Sequence, residues 1–159
     1  MKSEIVYTAD GSVAGVRHAW AFDEASSAAS IREIEAEPKG VITGDDLAPL
    51  AQVNVESLKQ LDYFTSAKVN GMKEQFDGPK DYWLVLEAGV LTLHFTLPFK
   101  SPKKAQKIEI EVYDPSYFVD IKLAGNDPIA LVNAPSECEL SIQRQSWAQA
   151  ANKIMVTCP

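Results

Sequence analysis

Residues 4–22 read EIVYTADGSVAGVRHAWAF. Two apolar runs flank Asp10-Gly11, and an Asp-Gly pair between such runs is a strong short-range signal for a β-hairpin. Strands send successive side chains to opposite faces. In the second run Val16, His18, Trp20 and Phe22 therefore share one face, and Arg17, Ala19 and Ala21 share the other. The chain opens as β-structure with an aromatic face that later segments must cover.

Asp23 follows directly and suits the N-cap of a helix over EASSAASIREIE, with Glu24 at the positive end of the helix dipole. Ile31 and Ile34 supply an apolar edge, and Pro38 and Gly40 end it. A second helix is predicted from about Asp46 to Leu61, with Leu47, Leu50, Ala51, Leu58 and Leu61 on one stripe. Thr43-x-x-Asp46 resembles a capping box. That start leaves Pro49 beyond the first turn, where it costs a hydrogen bond, and a start nearer Gly44 or Asp45 eases the conflict.

The remainder reads as strands. TSAKVNGMKEQF turns at Asn70-Gly71, and DYWLVLEAGVLTLHFTLPF folds back at Ala88-Gly89. Leu91, Leu93, Phe95 and Leu97 alternate with Thr92, His94 and Thr96, giving one buried and one wetter face. KIEIEVY, YFVDIKLAG, IALVN, CELSIQ and KIMVTCP follow. This order predicts an α+β fold with antiparallel β-sheets. No linker divides the chain, so residues 1–159 are expected to form one domain: a hairpin (1–22), a helix pair (23–62) and antiparallel strands (63–159).

The net charge of −7 counts against a nucleic-acid partner, which needs a basic face, and against an anionic membrane surface. No apolar run approaches the ~20 residues that span a bilayer, so no membrane insertion is expected. The start, MKSEIVY, is strand-like and carries no signal peptide; a mature secreted domain behind a new Met1 reads the same way. The two cysteines are Cys138 and Cys158. Either they pair, closing a loop whose stabilisation is about 3 kcal/mol and implying an oxidising compartment, or they are unrelated buried thiols. No CxxC spacing is present, so a zinc ribbon or thioredoxin-type site is not expected.

Residues 35–46, EAEPKGVITGDD, have the outline of an EF-hand loop. Gly40 takes the sixth place, Ile42 the eighth and Asp46 the twelfth. Glu35 and Glu37 take the first and third places, but Lys39 puts an ammonium at the fifth, and Asp46 is one methylene short of the usual bidentate glutamate. The pair of helices is thus degenerate in EF-hand terms, and calcium is not expected to bind.

There is no GxSxG and no glycine-rich phosphate loop, which leaves a hydrolase the weakest reading. A metal site, if present, would draw on His18, His94, Asp23 and Glu24, although His18 on an aromatic face suits a hydrogen-bonded core residue. In YDPSYFVD (113–120), Asp114-Pro115 starts a turn, and Tyr117 and Phe118 are expected on opposite faces of the next strand. Tyr113, Asp114, Tyr117 and Asp120 would then form a ligand or partner edge.

RHAWAFDE (17–24), GVITGDDLAPLAQVNVESLKQLDYFT (40–65), KDYWL (80–84), LTLHFTLPF (91–99), EVYDPSYFVDI (111–121) and NKIMVTCP (152–159) together resemble a family of bacterial secreted proteins of unknown function. That family is described as the periplasmic component of an uncharacterised ABC-type transport system. The resemblance implies export through a cleaved signal peptide and company with nickel/cobalt-type permeases and other metal-transport genes. Family members often keep an aspartate-rich loop between the helices and begin, after the signal, with a His-Pro-His segment that residues 1–4 do not contain. The stretch from Gln145 to Trp147 is shorter than the family pattern. The expected function is a periplasmic, non-enzymatic accessory protein of a divalent-metal (nickel, cobalt or zinc) transport system, with a metal permease as partner. The rival expectation is a cell-envelope interaction module with no metal. At this length the chain is too small for a two-lobed solute receptor.

Overall fold

The alternation along residues 2–21 does make two strands. In a computed structural model, which describes residues 1–35 and 41–159, β1 (Lys2–Tyr7) pairs antiparallel with β2 (Val13–Ala21). Gly11 N–H donates to the Thr8 carbonyl (2.9 Å), Thr8 N–H donates to the Ser12 carbonyl (2.8 Å), and Gly11 sits at φ +79°. The connection is a three-residue loop with glycine in the left-handed position.

Two helices follow. In α1 (Glu24–Glu35) the Asp23 carboxylate accepts the Ser26 N–H at 2.7 Å. Only Ser27 is fully buried among its described side chains, and its hydroxyl accepts the Leu91 N–H at 3.1 Å. In α2 (Gly44–Lys59) Thr43 is the N-cap and forms a capping box with Asp46. Pro49 nevertheless lies inside the helix, so the bond that would reach the Asp45 carbonyl is missing. The buried stripe is Leu47, Ala51 and Val55, with Leu50 and Leu58 half-buried. Leu61 falls beyond the helix and is exposed. Of the EF-hand-like loop, Glu37, Lys39, Gly40 and the side chain of Glu35 lie outside the described residues. Asp46 serves the cap, accepting from Thr43 N at 2.8 Å and Thr43 Oγ1 at 3.0 Å.

A left-handed corner leads out of the helices: Asp62, Tyr63 and Phe64 have φ of +49°, +54° and +50°. Such conformations disfavour L-residues by roughly 1–2 kcal/mol each. Burial of Tyr63 and Phe64 offsets this, since both enter the core and Phe64 stacks near Trp20 at 6.2 Å.

Next come β3 (Thr65–Val69), β4 (Met72–Glu74), β5 (Lys80–Glu87), β6 (Val90–Lys103), β7 (Lys107–Val112), β8 (Ile129–Val132), β9 (Glu139–Gln143) and β10 (Asn152–Thr157). They assemble with β1 and β2 into two sheets, β5-β6-β2-β1-β8 and β4-β3-β7-β10-β9. The hairpins turn at Asn70-Gly71 and Ala88-Gly89 as expected, and all four residues adopt positive φ. Two expectations are corrected. β8 pairs parallel with β1, so the sheets are not wholly antiparallel. YFVDIKLAG forms no strand, because its backbone is held by side chains instead of a neighbouring ladder. Buried side chains of both sheets and α2 merge in one core.

His18 bridges the two sheets inside that core. Its Nδ1 lies 2.6 Å from Ser3 Oγ on β1, and its Nε2 lies 3.0 Å from Thr65 Oγ1 on β3. Thr65 donates its own hydroxyl proton to the Tyr63 carbonyl at 2.8 Å. Nε2 therefore carries the ring proton and donates to Thr65, while Nδ1 accepts from Ser3. Burial lowers the imidazole pKa from 6.5 to about 3.

Two outcomes follow from this packing. A Cβ on Gly15 would meet the Leu97 carbonyl oxygen and come within 2.7 Å of Pro98 Cα, both of them backbone. Gly15→Ala is expected to lower stability by about 3 kcal/mol, measured by denaturant titration. Because the folded pKa of His18 is depressed, the unfolded chain binds the extra proton between pH 6.5 and about 3. Stability is full above that window and falls on acidification, by about 2 kcal/mol at pH 5 from this residue alone. His18→Gln should flatten the slope between pH 7.5 and 5, and an unchanged slope would refute the assignment.

Candidate functional site

Between β7 and β8 the chain runs through residues 113–128 without helix or strand. Three side chains fix it. Asp114, itself buried, accepts from Ser116 N–H (2.8 Å), Ser116 Oγ–H (2.6 Å), Phe118 N–H (3.1 Å) and Val119 N–H (2.9 Å). The Ser116 hydroxyl, together with these N–H groups, holds its carboxyl below the usual range. Asn152, fully buried on β10, donates through Nδ2 to the Ile121 (2.7 Å) and Val112 (3.4 Å) carbonyls, and its Oδ1 accepts the Gln145 N–H (3.0 Å). Arg144 donates to the carbonyls of Leu123 (3.0 Å) and Ala124 (2.9 Å).

A second loop stands opposite. Ser146 and Gln149 exchange backbone hydrogen bonds of 2.8 and 3.1 Å, placing Trp147 and Ala148 at the tip of a tight turn. Trp147 is 100% exposed there. The two loops enclose a cleft of about 490 Å³. Tyr113, Asp114, Tyr117 and Asp120, which the sequence singles out, all line it. The opposing wall of Gln145, Trp147 and Gln149 escaped sequence reading. A usable signal was available: in QRQSWAQA no apolar residue flanks Trp147 at two-residue spacing, so the indole has no strand face to join.

Tyr117 and Phe118 do not lie on opposite faces of a strand. Tyr117 adopts φ +61° in the loop, and both rings are exposed, at 77% and 92%. The Asp120 carboxylate accepts from Gln145 Nε2 at 2.5 Å and pairs with Lys122 at 3.2 Å. These two partners, Gln145 foremost, hold its carboxyl below the usual range.

The residues named for a metal are spread apart. His18 faces the core beside Phe95, with both ring nitrogens hydrogen-bonded. His94 faces the other side of the same sheet, its ring stacked on Trp83 at 4.7 Å, and burial lowers its pKa. Asp23 caps α1, and Glu24 is exposed. Among the described residues no group of three or more His, Cys, Asp and Glu is placed to hold a metal ion. Cys138 and Cys158 are joined in a disulfide with Cα atoms 4.2 Å apart. No helix among the described residues is long and apolar enough to cross a membrane.

A second hollow of about 880 Å³ lies between α1, α2 and β2, with Phe118 and Lys122 at its margin. Trp20 lines it and holds, among the described residues, the one buried side-chain N–H without a hydrogen-bond partner.

The fold is a two-sheet α+β scaffold with a cleft built from loops. Residues 1–158 match the family described as "Protein of unknown function (DUF1007)", and the chain belongs to that family. No curated protein and no solved structure matches it.

The two walls share Asn152. Asn152→Ala leaves two buried carbonyls and one N–H unpaired and is expected to cost about 3 kcal/mol. It should also speed protease cleavage within residues 115–121, read by limited proteolysis; Asn152→Asp, which keeps the acceptor for Gln145 N–H but turns an oxygen toward both carbonyls, should give no rescue.

Proposed function

We propose that this chain is a non-enzymatic binding protein of the bacterial periplasm that docks a protein component of a divalent-metal transport system on the cleft between residues 113–121 and 145–150. The observation that carries the reading is the exposed set Tyr117, Phe118 and Trp147, presented by loops whose backbone is pinned by buried side chains. Exposed Tyr and Trp side chains supply most of the energy of protein interfaces, and pinned loops lose little entropy on docking. The disulfide supports an oxidising compartment. The metal-transport context rests on the family resemblance of the sequence blocks.

A catalytic role draws less support. The hydrogen-bonded serine–histidine pair, Ser3 and His18, is sealed in the core at 3% and 1% exposure, where no substrate reaches it. The second reading, an envelope interaction module unconnected with metal, uses the same face and differs only in its partner.

The test is a photo-crosslinking amino acid placed at Phe118 in cells, with Met72, 66% exposed on β4, as the control position. One discrete product from Phe118 and none from Met72 is the expected result. A transport component in that product supports the first reading and any other envelope protein the second; equal labelling at both positions overturns docking on the cleft. In parallel, dialysis of the protein against Zn²⁺, Ni²⁺ or Co²⁺ should leave no stoichiometric metal. Tight binding lost in His94→Ala would put metal carriage in place of docking.

A further inference from the structure

Three aromatic residues line the cleft: Tyr113, Tyr117 and Trp147. Among the described residues none packs against another ring, and neither tyrosine hydroxyl is hydrogen-bonded. Two carboxylates, Asp114 and Asp120, share the lining, and among the described residues no Lys, Arg or His does. Asp114 spends its oxygens on the loop backbone but leaves its charge in the wall. Asp120 is 63% exposed at its side chain; Gln145 Nε2 donates to one oxygen at 2.5 Å without cancelling the charge, and the Lys122 ammonium, itself 74% exposed, lies 3.2 Å from the other. Exposed pairs of this kind contribute about 0–1 kcal/mol, so an entering cation displaces Lys122 readily. The remaining nearby cation, Arg144, is occupied by backbone carbonyls. The chain's net charge of −7 adds a field that attracts positive ligands.

Free aromatic faces beside a carboxylate whose ion pair is exposed and exchangeable are the chemistry that recognises organic cations. We infer that the cleft is a binding site for an alkylammonium or guanidinium group, held against the faces of Tyr113, Tyr117 and Trp147 with Asp120 as counter-ion. This rests on the reading of the cleft as a docking face and specifies what the partner inserts: a lysine or arginine side chain. A free quaternary ammonium solute presents the same chemistry, and the experiment separates the two sources.

The full chain is titrated, with Trp147 fluorescence and amide NMR shifts as readouts, against three probes: choline, its neutral isostere 3,3-dimethyl-1-butanol, and a short peptide containing arginine. Both cations should bind at least about fivefold more tightly than the isostere. Asp120→Asn should weaken the cations about fivefold and leave the isostere unchanged. Trp147→Ala and Tyr117→Ala should abolish the cation preference without lowering thermal stability, since both rings are exposed. Lys122→Ala, which removes the competing ammonium, should tighten both cations. Binding of the peptide supports a partner side chain as the source, and binding of choline alone supports a solute. Equal binding of choline and its isostere, or no binding by any probe, overturns the cation site. Docking fails separately, through loss of the selective Phe118 cross-link.

Discussion

One buried amide organises the end of the molecule that carries the cleft. Asn152 sits at the first position of β10 with no exposure, and its three hydrogen bonds reach the end of β7, the loop at Ile121 and the wall at Gln145. A buried backbone carbonyl without a donor costs as much as a lost hydrogen bond. The path of residues 113–128 is therefore tolerable only because Asn152, Asp114 and Arg144 supply what a strand ladder would have supplied. The cleft walls keep a fixed spacing for the same reason. Loops pinned in this way can present large rings to solvent without collapsing onto them.

The core obeys the same rule. His18 is held neutral between two hydroxyls, and each of the three groups has a partner. This ties β1 and β2 to β3 and fixes the relation of the two sheets across an otherwise apolar interior. A histidine so used cannot also bind a metal, since both lone-pair positions of the ring are committed. The outer histidine, stacked on Trp83, lies on the far face of the sheet. The periodicity that put His18 with Trp20 already separated it from His94, because strand alternation fixes which side each ring takes.

Local rules carried the reading where local rules govern. The hairpins at Gly11, Gly71 and Gly89, the Asp23 and Thr43 caps and the buried row Leu91, Leu93, Phe95 and Leu97 follow from turn chemistry and alternation. Most of the misses are non-local. Nothing in IALVN states that its neighbour is β1, 126 residues earlier at Ser3 and Ile129, or that the pairing is parallel. YFVDIKLAG has strand-like composition, yet Asp114 takes the Phe118 and Val119 N–H groups, and the distant Asn152 and Arg144 take the carbonyls of Ile121, Leu123 and Ala124. Asp62 to Phe64 contain no glycine or asparagine to announce a left-handed corner. Half of the candidate site, the Tyr113–Asp120 wall, was legible as a turn rich in aromatics; the Trp147 wall depends on how β9 and β10 return beside it.

The parallel pairing of β1 with β8 also sets an order of assembly. β1 gains its second neighbour only when residues 129–132 arrive, and the disulfide closes only with residue 158. Until then one edge of β1 offers open donors and acceptors to any extended chain. Contacts this distant in sequence make folding slow. A chain that ends before residue 129 thus leaves this edge of β1 unpaired, open to other extended chains.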